Sequence, residues 1–176
     1  MKKRGVFIVA CILLCASPVF AAAVFPDLAM TGQLTSAHRQ YLGVAANDFS
    51  LSDISAELVL IEVYSMYCPI CQRDAPLVNT LYATLAEKKL DSRVKMLGIG
   101  AGNSAYEVEF YRKKFSVSFP LVPDVQYVHH KAVGEVGTPS FYLVDLRQGR
   151  RLLFFQEGEL KETDGVLKAI MEALEQ

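Results

Sequence analysis

The 176-residue chain contains no tryptophan, only three histidines and only four cysteines. Without tryptophan, any aromatic shield over a reactive group has to be tyrosine or phenylalanine. Internal repeats and low-complexity segments are also missing, so repeat architectures and disordered tracts are not expected. The longest apolar run near the N-terminus, "VFIVACILLC", is ten residues. That is shorter than the ~20 residues a membrane-spanning helix needs. No excess of positive charge is present either, with 18 Lys and Arg against 19 Asp and Glu. Nucleic acid and anionic membrane are therefore not expected partners.

The N-terminus has three parts: basic "MKKRG", the apolar run, and small residues in "ASPVFAAA". This pattern predicts a secretory signal peptide over residues 1–23, with a retained membrane anchor as the alternative. Ala21 with Val19, or Ala23 with Ala21, satisfies the small-x-small rule for cleavage. Removal of Lys2, Lys3 and Arg4 leaves 15 basic residues against 19 acidic ones. It also removes Cys11 and Cys15, so Cys68 and Cys71 remain. Two cysteines are too few for a disulfide framework. Export places them where disulfides form and persist, with a periplasmic location expected.

At this length one domain with a sizeable core is expected. Residues 24–45 read as an irregular segment, broken by Pro26, Gly32 and Gly43, and 46–176 as the folded domain. "DFSLSDI" reads as a short strand, and "LVLIEVYS" as a central strand covered on both faces. Leu77, Val78, Leu81, Tyr82 and Leu85 recur at helical spacing. "VKMLGIG" is a second buried strand, and "SAYEVEFYRKKF" a helix with Ser104 as N-cap. "FYLVD" and "RRLLFFQ" flank "LRQG" as an antiparallel hairpin. Val166, Leu167, Ile170, Met171 and Leu174 form one face of a last helix. The order is strand, helix, strand, helix, short helix, hairpin, helix. It predicts an α/β fold with a central mixed sheet and helices on both faces, the outline of a thioredoxin-like fold.

The chemistry gathers at "SMYCPICQRDAP", Ser65 to Pro76. A cysteine reacts as its thiolate, and a helix N-terminus lowers its pKa. The helix is expected to start at the pair, which puts Cys68 beside unpaired N–H groups and the positive end of the dipole. Pro69 suits the first turn because its missing N–H costs nothing there. Cys68 is then the expected nucleophile and Cys71, one turn in, the resolving thiol. Two other roles compete. A disulfide across two residues closes too small a loop to restrict the unfolded chain much. Zinc normally takes four ligands, and His129 and His130 read as part of a solvated helical face. Two carboxylates stand nearby. Asp74 either favours the helix N-terminus by its charge or assists proton transfer. Glu62 lies in a strand that reads as buried, where a carboxylate is costly unless partnered or protonated. It either exchanges a proton with Cys71 or reaches solvent at the sheet's end.

From "DFSLSDI", "YCPICQRDAP", the middle segment ending in "FPLVPD", and "VGTPSFYLVD", the chain resembles the thioredoxin superfamily. Within it, the exported TlpA/ResA-type thiol:disulfide oxidoreductases are most similar, over about Asp48 to Gln176. The resemblance implies a catalytic Cys68–Cys71 redox disulfide without cofactor or metal. It also implies acidic helpers at Glu62 and Asp74. Thr138 and Pro139 are implied as a cis-proline loop that receives a substrate peptide, beside Tyr67, Pro69 and Ile70. It further implies a reductant of exported protein thiols, such as those of apocytochrome c, fed by a membrane thiol reductase. Two departures stand out. Tyr67 occupies a place that is usually tryptophan, and Pro69-Ile70 matches neither the Gly-Pro of thioredoxin nor the Glu-Pro frequent in the ResA type. That dipeptide tunes the potential, so the direction of transfer is left open. The rival activities are a peroxiredoxin-like peroxidase and a Sco-like copper chaperone. The first needs a proline where Ile61 stands, although Ser65 fits; the second needs three residues between its cysteines.

Overall fold

A computed structural model describes residues 23–176 of the chain. The expected signal peptide lies almost wholly outside the described residues. The sheet is five-stranded, in the order β5-β4-β3-β6-β7. Its centre is β3, Leu58–Tyr64, in which every residue is buried. That explains the nearly unbroken apolar run. On one side β3 pairs in parallel with β4, Val94–Ala101, which pairs in parallel with β5, Leu121–Asp124. On the other side the hairpin β6, Ser140–Asp145, and β7, Arg151–Glu157, runs antiparallel to it. The thioredoxin-like fold expected from the element order is what forms.

Strand periodicity divides the core into two layers. Leu58, Leu60 and Tyr64 face α2, Pro69–Glu87, and α5, Asp164–Leu174. Val59, Ile61 and Val63 face the N-terminal segment on the opposite side. Alternation puts Glu62 on the α2 side. Within α2, Cys71, Asp74, Ala75, Val78, Leu81 and Leu85 are buried, so one stripe of the helix packs on the sheet. In α5 the buried face is Val166, Ile170 and Ala173. Met171, expected on that face, is 43% exposed. Between β4 and β5 runs α3, Ala105–Lys114, with a Ser104–Glu107 capping box.

Residues 24–45 are not irregular. They contain β1, Ala29–Thr31, and α1, Ser36–Leu42. Thr35 Oγ1 caps α1 by accepting from His38 N at 3.1 Å, and Gly43 ends it at φ 72°. β1 pairs antiparallel with β2, Asp48–Ser50, the short strand read at "DFSLSDI", whose second half is a 3-10 turn. Phe25, Leu28, Met30, Leu34 and Leu42 are buried, so this segment supplies the second core layer. At the end of the sheet away from the cysteines, Arg93 and Arg147 bond Glu57 and the last carbonyls of α5.

Candidate active site

β3 ends at Tyr64, and three residues carry the chain to Cys68 at the start of α2. This turn is pinned from two sides. Met66 N donates to Asn103 Oδ1 at 2.9 Å, and Gln72 Nε2 donates to Met66 O at 2.7 Å. Asn103 is fully buried. Tyr67 is 66% exposed, and its hydroxyl donates to Glu107 at the start of α3.

Cys68 is the N-cap of α2. Its sulfur takes the place that a serine or aspartate oxygen usually fills, accepting from Cys71 N at 3.2 Å. Pro69 follows in the first turn. Partial burial pushes the Cys68 thiol up. Hydrogen bonds from the Cys71 thiol and amide, from the Thr138 side chain and from the Ile70 amide outweigh that and leave it below its usual value. Cys71 is fully buried. Burial first, then the thiol and charge of Cys68 and the charge of Glu62, push its thiol well up. The two sulfurs are thus chemically unequal: one is partly exposed and favoured as a thiolate, the other enclosed and favoured as a thiol. Both are free cysteines in this structure.

Across from Cys68 lies the loop that enters β6. Its Thr138–Pro139 bond is cis. The Cys68 thiol donates to Thr138 O at 3.2 Å. Ser65, Tyr67, Cys68, Tyr127, His130 and Thr138 line an open cleft between the loop and the helix.

Beneath the pair sit the two carboxylates. Glu62 is 3% exposed, and its Oε1 has no hydrogen-bond partner. Burial, and then the charge of Asp74, push its pKa up to about 8. Asp74 is also buried and pushed up, again mainly by desolvation. Its Oδ2 accepts from Leu160 N at 2.7 Å, which partly offsets that cost. Glu62 Oε1 is thus a carboxyl oxygen both sealed from solvent and without a partner. Tyr64 and Tyr111 stack over the same place with ring centroids 4.5 Å apart, and the Tyr111 hydroxyl donates to Cys71 O at 2.9 Å.

The histidines correct the sequence reading. His129 is buried in α4, Val128–Ala132, rather than solvated. His130 is half-buried, and its Nε2 lies 2.7 Å from Val136 O. It stands at the cleft, beside the reactive loop. Sequence reasoning also passed over Asn103 and Tyr127. For Asn103 a signal existed: it follows a parallel strand at its C-terminal end, where sites on open α/β sheets collect. Among the described residues, no group of three or more His, Cys, Asp or Glu could hold a metal ion.

Fold and site together define a thioredoxin-like protein with a vicinal dithiol at a helix N-terminus. The profile of the AhpC/TSA family matches residues 24–150, and the chain belongs to that family. Among curated proteins it is similar to the thiol-disulfide oxidoreductase ResA of Geobacillus thermodenitrificans. The two are 27% identical over 114 residues, 59% of this chain and 63% of that one. The ResA of Geobacillus kaustophilus is 25% identical over 127 residues, covering 72% and 64%. The chain thus spans a little under two thirds of the length of these relatives. Among solved structures it is similar to StoA from Bacillus subtilis, with TM-score 0.61 and 16% identity over 84% of this chain and 98% of that one. A thiol:disulfide interchange protein of the thioredoxin family from Chlorobium tepidum gives TM-score 0.64 and 14% identity, covering 88% and 97%.

Proposed function

We propose that the chain is a thiol:disulfide oxidoreductase that exchanges its Cys68–Cys71 pair with the disulfides of exported proteins, acting as a reductant. The observation that carries this reading is the inequality of the two sulfurs, one partly exposed at the helix N-cap and one sealed behind it. The names of the similar curated proteins support it.

The Cys68 thiolate attacks one sulfur of a substrate disulfide. A mixed disulfide forms, and the first substrate sulfur leaves as a thiolate that takes a proton from solvent. Cys71 then gives its proton to Glu62 and attacks Cys68 Sγ. The second substrate thiolate leaves, so two electrons have passed to the substrate and Cys68–Cys71 is a disulfide. Glu62 suits the acceptor role because a carboxyl with a pKa near 8 is a stronger base than an ordinary one once ionised. Asp74 serves the site by holding Leu160 and by raising Glu62. Thr138, before Pro139, offers the backbone edge on which a substrate peptide pairs as an added strand, with Tyr67, Pro69 and Ile70 flanking it. Residues 1–23 act as the export signal, and a membrane thiol reductase returns the electrons. Apocytochrome c is the substrate that resemblance suggests.

The peroxidase reading meets an obstacle in Ile61, which is fully buried in β3 where that chemistry needs a proline. The copper reading is weakened because the His130 Nε2 is already engaged by Val136 O.

Substrate trapping tests the proposal. The Cys71→Ala protein, produced in its native host, should carry exported proteins disulfide-linked to Cys68 and released by dithiothreitol. A trap that stays empty while the wild-type protein is correctly exported would count against it.

A further inference from the structure

The loop entering β6 is clamped on both flanks and from below. Gly137 N donates to Glu157 Oε1 at 2.9 Å on one flank. Ser140 Oγ donates to Gly137 O at 2.6 Å beneath. On the other flank stands His130, with Nε2 2.7 Å from Val136 O. A carbonyl only accepts, so Nε2 is the protonated nitrogen of that ring. His130 is itself held in place. Its backbone N donates to Asp124 Oδ2 at 2.8 Å, and Asp124 is buried at the end of β5. The Tyr127 ring meets the imidazole edge-on at 5.7 Å.

Together with the short backbone from Val136 to Thr138, these contacts link the end of the parallel sheet to the reactive sulfur: Asp124, His130, Val136, Thr138, Cys68. We propose that His130 is a positioning residue for substrate peptides, its Nε2–H fixing the Val136–Thr138 loop at the height where Thr138 can pair with a peptide attached to Cys68. The inference rests on the oxidoreductase reading and adds to it a residue on which peptide substrates depend. A small disulfide pairs with no backbone, so it feels the loop only through the contact of Thr138 with Cys68. A polypeptide disulfide needs the loop as well. His130 therefore selects for polypeptide over small-molecule disulfides.

The test compares two probes, insulin and bis(2-hydroxyethyl) disulfide, in single-turnover reactions with the reduced protein. His130→Leu keeps the bulk and removes the donor. It should slow insulin reduction about fivefold, the effect of losing one neutral hydrogen bond, and slow the small disulfide markedly less. His130→Gln places an uncharged N–H at similar reach and should restore the insulin rate. In the wild-type protein the His130 Nε2–H should be visible by imidazole NMR and slow to exchange. Three results overturn the proposal: an unchanged insulin rate in His130→Leu, an equal loss with both probes in a folded variant, or no recovery in His130→Gln. A wild-type protein that reduces neither probe overturns the oxidoreductase reading, and this proposal with it.

Discussion

Replacement of Glu62 by glutamine should change how stability depends on pH. Glu62 is enclosed on the α2 side of β3 with Oε1 unpartnered, and its pKa is pushed up to about 8 by burial and by Asp74. In the unfolded chain a glutamate titrates near ~4.3. Between these values the folded protein keeps a proton that the unfolded chain has released. Stability from this group is therefore complete below pH ~4.3 and is lost as pH rises towards 8. The slope is about 1.4 kcal/mol per pH unit, at most about 4 kcal/mol between pH 5 and pH 8. Asp74, also raised, acts in the same direction from the acid side, and Cys68, lowered, acts oppositely at the alkaline end. Both remain in the variant, so the difference between the two proteins isolates Glu62. Urea unfolding of the reduced proteins at pH 5, 6, 7 and 8 measures it. The wild-type protein should lose ground to Glu62→Gln with each step in pH. Parallel curves would refute the buried, proton-holding carboxyl.

The same substitution should slow the resolving step more than the first attack and remove its rise with pH towards 8, read by stopped-flow of the mixed disulfide. Iodoacetamide at neutral pH should label Cys68 before Cys71, as peptide mapping would show, because only Cys68 is both accessible and lowered. Asn103→Ala leaves the Met66 amide unpaired in a part-buried site and should cost about 1 kcal/mol, with faster hydrogen exchange at Met66. Gly98→Ala puts a Cβ 2.3 Å from Leu121 Cδ2, between the paired strands β4 and β5. It should lower stability by about 1–3 kcal/mol in thermal unfolding.

Elements with strong patterns could be read from the residues alone. The run Leu58–Ser65 was unmistakable because a strand covered on both faces needs apolar residues throughout. The stripe of α2 and the hairpin around "LRQG" were clear for similar reasons. The spacing of Cys68 and Cys71 singles them out as a candidate redox pair, and Glu62 stands out as a charge within an apolar strand. Segments whose meaning comes from tertiary contact were not visible in this way. β1 is three residues and α1 seven, too short for periodicity to register. Their role depends on covering Val59, Ile61 and Val63. β5 was hidden inside "FPLVPD" because Pro123 argues against a strand, and an edge position tolerates it. His130 looked like part of a polar helix. Its place beside the loop comes from Val136, six residues on, folding back to meet it.

The central claim is the division of labour between the two sulfurs. The direct test is one single-turnover reaction of the reduced wild-type protein with a disulfide peptide, acid-quenched over time and mapped by mass spectrometry. The account predicts a transient peptide adduct on Cys68, followed by a Cys68–Cys71 disulfide and free peptide thiols. An adduct that forms first on Cys71, or a reaction that ends without the Cys68–Cys71 disulfide, would contradict it.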